Sequence, residues 1–214
     1  MRNKVGTFFM ILGMALLFGA LGLFLYNQSE AETAGQATLQ LLPQVIEQIE
    51  NRQETLEDTG SYVPEDLVLP PEYRTPEALE MTEVVIDGHA YIGFLTIPKL
   101  NLELPIMAQW SYDKLKIAPC CYSGSVKGGD FVIMAHNYTQ HFGRLSKLVD
   151  GDNVFFTDMN GVTTAYTVVG RDVLSPTAVE EMTAGDFDLT LFTCTYDGRS
   201  RMSVYCDRTK TVNP

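Results

Sequence analysis

Three residues suited to covalent catalysis stand at the ends of apolar runs: His136 closes "FVIMAH", Cys194 closes "LTLFTC" and Arg201 opens "RMSVYCDR". A thiolate is a strong nucleophile, a free thiol titrates near ~8.5, and a nearby imidazole can take its proton or stabilise the thiolate as an imidazolium. A guanidinium stays charged in any surroundings and can face a developing oxyanion. Alternation in "LTLFTCT" puts Thr190, Phe192 and Cys194 on one face and Leu191, Thr193 and Thr195 on the other. Periodicity therefore leaves Cys194 open as a buried small hydrophobe, half of a disulfide or a nucleophile. Its position where a strand meets the turn-rich "YDGRS" favours function, because strand ends at loops are where side chains reach substrate. Arg199, two residues before Arg201, would share its face if the strand began early, so spacing alone does not separate them.

The elements that must position these groups are short and β-prone. "YIGFLTIP", "LELPIMA", "DFVIMAHN", "NVFFTDMN", "VTTAYTVVG", "DLTLFTCT" and "RMSVYCDR" are divided by turn signals, and Asn160-Gly161 predicts a type I′ hairpin. Such a series predicts a barrel or sandwich, with short helical patches at His141 to Leu148 and Pro176 to Met182. Prolines 64, 70, 71 and 76 alternate with acids from Asp58 to Glu83, a composition that resists helix and strand and predicts a tether or a loop over the domain.

Arg2 and Lys4 precede an uncharged stretch whose apolar part, "FFMILGMALLFGALGLFLY", is close to the ~20 residues needed to cross a bilayer. A cleaved secretory signal has a similar start, but its apolar centre is usually only ~7 to 15 residues and no clean A-x-A site follows Tyr26. The expected organisation is a cytoplasmic segment 1–6, a transmembrane anchor 7–26, a stalk helix and Pro/acid-rich linker 27–83, and a catalytic domain 84–214 outside the cell. Val45, Ile46 and Ile49 fall at helical spacing after Leu42, predicting an amphipathic helix of about four turns with Pro43 in its first turn.

A net charge of −12 over 214 residues argues against nucleic acid as the main partner, because phosphate binding needs clustered Lys and Arg. Four cysteines, two of them the adjacent Cys120 and Cys121, do not read as a disulfide scaffold or a zinc site, and no C-x-x-C occurs. An unpaired cysteine outside the cell is exposed to oxidation unless buried or used. Cys206 alternates with Met202 and Val204 as a core residue, His89 reads as structural and His141 as a surface residue in a short helix. No cofactor or metal is expected, although Asp150, Asp152, Glu180 and Glu181 are the acids that could hold calcium.

The chain resembles the sortases, membrane-anchored cysteine transpeptidases of Gram-positive bacteria, from about Tyr91 to Arg208. "IGFLTIPKLNLELPI" is similar to the family's first strand pair, "VIMAHNY" to its histidine strand, "GRLSKLVDGDNVFFTDMNG" to the segment that follows and "TLFTCT" to its TLxTC signature. The resemblance implies a closed or partly open eight-stranded β-barrel, mostly β with short helices and preceded by a transmembrane helix. It also implies a catalytic set of His136, Cys194 and Arg201, with Thr193, Tyr196 and Ser200 bordering the substrate groove. By the same resemblance Cys194 attacks the Thr carbonyl of an LPxTG-like sorting signal on a secreted protein. The thioacyl group then passes to an amine from a peptidoglycan precursor or a pilin. A hydrolase on the same residues, or a non-catalytic surface module, is the alternative. "YVPEDLVLPPEYRTPE" holds no aspartate-proline-aromatic lid and no second apolar segment precedes Pro214, which argues against the pilus-polymerising group. The anchor, the following helix and "HNY" resemble class B, whereas the step of 58 positions from His136 to Cys194 is short for the extra helix of that class. A class B-like or class D-like member is expected.

Overall fold

The computed structural model describes residues 2–60, 68–184 and 186–209. Its first element, α1 (Arg2–Asp58), is one unbroken helix of 57 residues, ~85 Å long at 1.5 Å per residue. The sequence predicts an apolar helix and a separate four-turn helix, but the two are continuous and Pro43 lies in the interior. An interior proline removes an N–H bond and crowds the carbonyl four residues back. Packing holds the helix across it: Ala34, Thr38, Leu41, Val45 and Ile49 form one buried stripe at spacings of three and four. Leu41, Val45 and Ile49 lie against Ile86, Tyr91, Met107, Leu115, Cys120 and Met159 of the β-domain. The apolar turns between Val5 and Tyr26 are exposed, and among the described residues α1 is the one helix long and apolar enough to cross a membrane.

Nine strands follow: β1 (Val84–Ile86), β2 (His89–Ile97), β3 (Leu102–Met107), β4 (Cys120–Ser123), β5 (Phe131–Ala135), β6 (Asn153–Asp158), β7 (Thr163–Leu174), β8 (Leu189–Cys194) and β9 (Arg201–Arg208). Their order is β1-β2-β3-β4-β5-β8-β9-β7-β6, and an added β2–β6 pairing makes β2 to β9 a closed eight-stranded barrel with β1 flanking β2. Closure removes the exposed edges that an open sheet of this size would carry. At the seam Gly93 has φ +143, and a side chain there would collide with the Thr157 carbonyl; the close approach of β2 and β6 needs a residue without Cβ. Along the strands, Ile133, Leu189, Leu191, Val204 and Cys206 turn into the barrel core. Val132 and Phe192 turn outward, onto Met182 of the short helix α4 (Val179–Thr183).

Two turns depart from expectation. Asn160-Gly161 is part of a longer β6–β7 connection, in which Gly161 but not Asn160 has positive φ, so the type I′ geometry, which needs both, is absent. Asn160 is engaged elsewhere: its Oδ1 accepts from Arg52 Nε of α1 at 2.9 Å and its Nδ2 donates to Thr82 Oγ1 at 3.1 Å. The two-residue hairpin is Asp87-Gly88, with φ of 50° and 80°, between Ile86 and its partner His89. The patch at His141 to Leu148 is turns plus one 3-10 turn at Leu145–Lys147, whereas Pro176 to Met182 does contain the start of α4.

The linker is only partly within the described residues, since 61–67, including all of "YVPEDL", lie outside them. From Val68 on it carries a 3-10 turn, Pro71–Tyr73, and the short helix α2 (Pro76–Leu79). Leu69 N donates to the Lys127 carbonyl at 2.8 Å, which puts this part at the barrel end where β5 begins, opposite the end where β5 and β8 finish.

Candidate active site

Strand register brings the candidate residues together. β5 and β8 are parallel with Ala135 beside Thr193, so the next residues, His136 and Cys194, leave neighbouring strands side by side. β8 and β9 are antiparallel with Cys194 directly opposite Arg201. Side chains alternate across a sheet, and Phe192 packs outside the barrel, so Cys194 and its partner Arg201 face outward, in file with the Met134–His136 side of β5. All three are partly exposed, on the outer wall of the barrel at one end.

Cys194 is the one cysteine of four that is not buried, and all four are free thiols. Burial drives the Cys120 thiol up to about 12 and the Cys121 thiol up to about 11, and raises Cys206 as well. Those three are held as neutral core thiols and cannot serve as thiolates near neutral pH. Cys194 alone combines access with a nearby imidazole.

The surrounding backbone is latched. Thr193, expected to border the groove, is instead buried and turned into the barrel, where its Oγ1 donates to the Ala135 carbonyl at 2.8 Å. It is a clamp between the ends of β8 and β5, because a residue one step from Cys194 on a strand must face the other way. Asn137 Nδ2 donates to the Thr195 carbonyl at 3.5 Å, tying the segment after His136 to the loop after Cys194. That loop is compact: Thr195 Oγ1 donates to Asp197 Oδ1, Gly198 N to the Thr195 carbonyl at 2.9 Å, and Thr195 N to the Ser200 carbonyl at 3.0 Å. Arg201 Nη1 donates to the Ser200 carbonyl at 3.2 Å. Ser200 is half-buried, Tyr196 stands out at 87% exposure, and Arg199 lies in the exposed turn with its N–H donating to Asp197 Oδ1. The structure thus separates the two arginines: only Arg201 is the cross-strand neighbour of Cys194.

His136 sits in a mixed field. Burial lowers its pKa first of all, Glu30 of α1 opposes that shift, and Lys116 adds to it; Lys116 follows the short helix α3 (Tyr112–Leu115). The ring of Tyr138 lies 4.9 Å from the imidazole, centroid to centroid. His141, expected at the surface, is fully buried in a turn and packs 5.7 Å from the Tyr138 ring. The turn after β5 folds back under itself, with Phe142 N donating to the His136 carbonyl at 3.2 Å. Burial pushes the pKa of His141 down to about 4, so it is neutral at ordinary pH. Tyr138 and Asn137 also neighbour the site, and their adjacency to His136 in "HNY" is the one signal of this in the sequence.

Beside the nucleophile the outer wall is apolar and aromatic. Phe192, two positions before Cys194, meets Tyr122 edge to face at 5.2 Å, and Trp110 stacks on Tyr122 at 5.7 Å. This strip suits apolar side chains of a bound peptide, whereas the carbonyl next to Cys194 would meet the guanidinium of Arg201. A groove of about 940 Å³ lies elsewhere, between α1 and the β2–β3 hairpin, with Gly35, Leu39, Leu102, Leu104 and Gln140 in its lining. The acids considered for calcium are dispersed in function: Asp152 faces Lys99 at 3.8 Å and accepts from Val149 N, while Asp150, Glu180 and Glu181 are exposed. Among the described residues no three potential metal ligands cluster.

Residues 95–209 match the Sortase domain family. The chain is 27% identical over 125 residues to the sortase A of Bacillus anthracis, covering 56% of this chain; it spans 59% of the length of that relative. Its fold is similar to sortase C of Clostridium perfringens SM101, with TM-score 0.51 and 25% identity over 78% of this chain and 89% of that one. It is likewise similar to sortase C1 of Streptococcus suis, with TM-score 0.52 and 30% identity over 58% and 75%. The family match covers more than half of the sequence and includes the strand ends carrying His136, Cys194 and Arg201, and the chain belongs to the sortase family.

Proposed function

We propose that this protein is a cysteine transpeptidase acting on sorting signals of the LPxTG type. The observation that carries the reading is the juxtaposition of Cys194, His136 and Arg201 on one outward face at the ends of three neighbouring strands. The Cys194 thiolate attacks the carbonyl carbon of the scissile peptide bond and forms the C–S bond, and the carbonyl oxygen takes up negative charge opposite Arg201. As the C–N bond breaks, the imidazolium of His136 gives its proton to the departing amine, leaving a thioacyl enzyme. An acceptor amine then enters, His136 removes its proton, and collapse of the second tetrahedral intermediate expels the thiolate. The lowered pKa of His136 makes the neutral ring a ready base for that second step.

The apolar strip of Phe192, Tyr122 and Trp110 is read as the wall along which the peptide lies. Tyr196 and Ser200 border it, and Thr193 acts from behind by fixing the strand ends. The donors of acyl groups are secreted proteins and the acceptors peptidoglycan-precursor or pilin amines. With Arg2 and Lys4 on the cytoplasmic side, the apolar part of α1 anchors the enzyme and the barrel works outside the cell. The relatives named above carry A and C designations, which does not favour the class B-like or class D-like expectation, and the proposal is made for the family as a whole.

The test is mass spectrometry of the full-length protein in detergent micelles with a panel of LPxTG-type peptides, with and without an amine. A thioacyl adduct on Cys194, converted to ligated product when amine is added, is expected. Cys194→Ala and His136→Ala should abolish the adduct while leaving the circular dichroism spectrum unchanged. Release of the hydrolysed acid at the same rate with and without amine would mean a hydrolase, and an adduct persisting in Cys194→Ala would refute the assignment.

A further inference from the structure

We propose that Glu30, on the helix that anchors the protein, is a positioning residue of the active site, acting on His136 through Tyr138. The inference rests on the catalytic reading above and extends it to a residue outside the barrel. α1 runs without a break from the apolar segment into the stretch packed on the barrel, so a residue just past the apolar segment is held rigidly against the β-domain. Glu30 is one helical turn beyond Tyr26, the last residue of the apolar run. Its two carboxylate oxygens take different partners. Tyr26 Oη, on the same helix, donates to Oε1 at 2.9 Å, which fixes the carboxylate's orientation. Tyr138 Oη, from the loop after β5, donates to Oε2 at 3.4 Å, a long hydrogen bond.

The Tyr138 ring in turn lies 4.9 Å from the imidazole of His136 and tilted 40° to it. The phenol is thus pinned at its hydroxyl end by the anchor helix, and its face limits where the imidazole can sit. The same contact brings a carboxylate within electrostatic range of His136, where it favours the imidazolium that must protonate the leaving amine. The other ionisable groups around His136 are Tyr138 on its ring, Lys116 after α3, Cys194 and Arg201 on the neighbouring strands, and the buried His141. Lys116 opposes the imidazolium and His141 is neutral, whereas Glu30 raises the His136 pKa. Packing alone does not require this arrangement, since the buried stripe of α1 starts only at Ala34.

The test uses the full-length protein in nanodiscs and follows the three histidine side chains by long-range proton–nitrogen NMR across a pH titration. Glu30→Gln should shift the His136 midpoint downward, and Glu30→Asp should recover most of that shift. Tyr138→Phe, which keeps the ring and removes the hydroxyl, should shift it the same way. In the double variant the two effects should not add, because both break one connection. For peptide cleavage kcat should fall with KM little changed. A His136 midpoint unmoved by Glu30→Gln, or shifts in the double variant that sum, would overturn the proposal even if every variant cleaves peptide. Conversely, a wild-type protein that forms no thioacyl adduct would remove the reaction that Glu30 serves, a failure visible in mass spectrometry and separate from the titration.

Discussion

His141 ties the stability of the barrel to pH. Its imidazole is fully buried, neither ring nitrogen has a partner among the described residues, and its pKa is pushed down to about 4 by burial and by the neighbouring His136. In the unfolded chain a histidine titrates near ~6.5. Between these values the unfolded chain binds a proton that the folded one refuses. The associated stability is therefore complete above about pH 6.5 and is lost as pH falls towards about 4. A gap of about two and a half units at 1.36 kcal/mol each is about 3 kcal/mol, a large part of the ~5 to 15 kcal/mol that holds a typical domain. Urea denaturation followed by the fluorescence of Trp110, the sole tryptophan, reads it out. Full-length protein at pH 7.5, 6.0, 5.0 and 4.5 should lose stability over that window, and His141→Gln or His141→Phe should lose about 3 kcal/mol less. His136, also depressed, and Asp158, raised by burial, titrate in both proteins, so the difference isolates His141. Parallel pH curves for variant and wild type would refute the reasoning.

Further outcomes concern the strand ends and the helix. Arg201→Ala should lower kcat/KM by ~10² to 10³, as expected for loss of an oxyanion donor, while Arg199→Ala should cost only a few-fold; steady-state kinetics on a fluorogenic sorting peptide decides, and the reverse order would move the role to the loop. Thr193→Val removes the hydroxyl bonded to Ala135 and should cost about 1 to 2 kcal/mol in urea denaturation. It should also lower kcat, because β5 and β8 are no longer latched where His136 and Cys194 leave them. Pro43→Ala should stabilise α1 by ~1 to 3 kcal/mol, read as increased hydrogen-exchange protection of the amides around Leu39 to Glu47; unchanged protection would mean that the helix adapts to the ring without loss.

Much of the barrel was legible because its strands alternate and are separated by turn residues. All seven β-prone runs are strands, and "RMSVYCDR" is β9 residue for residue. The two missed strands are the shortest, β1 with three residues and β4 with four. β1 follows the Pro/acid-rich stretch and is closed by Asp87-Gly88, a hairpin signal of the same type as Asn160-Gly161. β4, Cys120–Ser123, is too short for alternation to show in the sequence. The continuous α1 was not legible either, since an interior Pro43 is unfavourable locally and is outweighed only by the stripe from Ala34 to Ile49 on the barrel.

Residue types and order alone determined that a thiol, an imidazole and a guanidinium stand at strand ends, that an apolar segment heads the chain, and that the charge balance is acidic. These follow from composition and from local periodicity, which need no partner in space. The tertiary structure decided what depends on register and on long-range packing: that His136, Cys194 and Arg201 share one outer face, that Thr193 turns inward, and that His141 is buried. It also decided that Glu30 reaches Tyr138 across 108 positions of chain. A one-residue change of register reverses the face of every side chain on a strand, and no local pattern encodes which helix will lie over which loop.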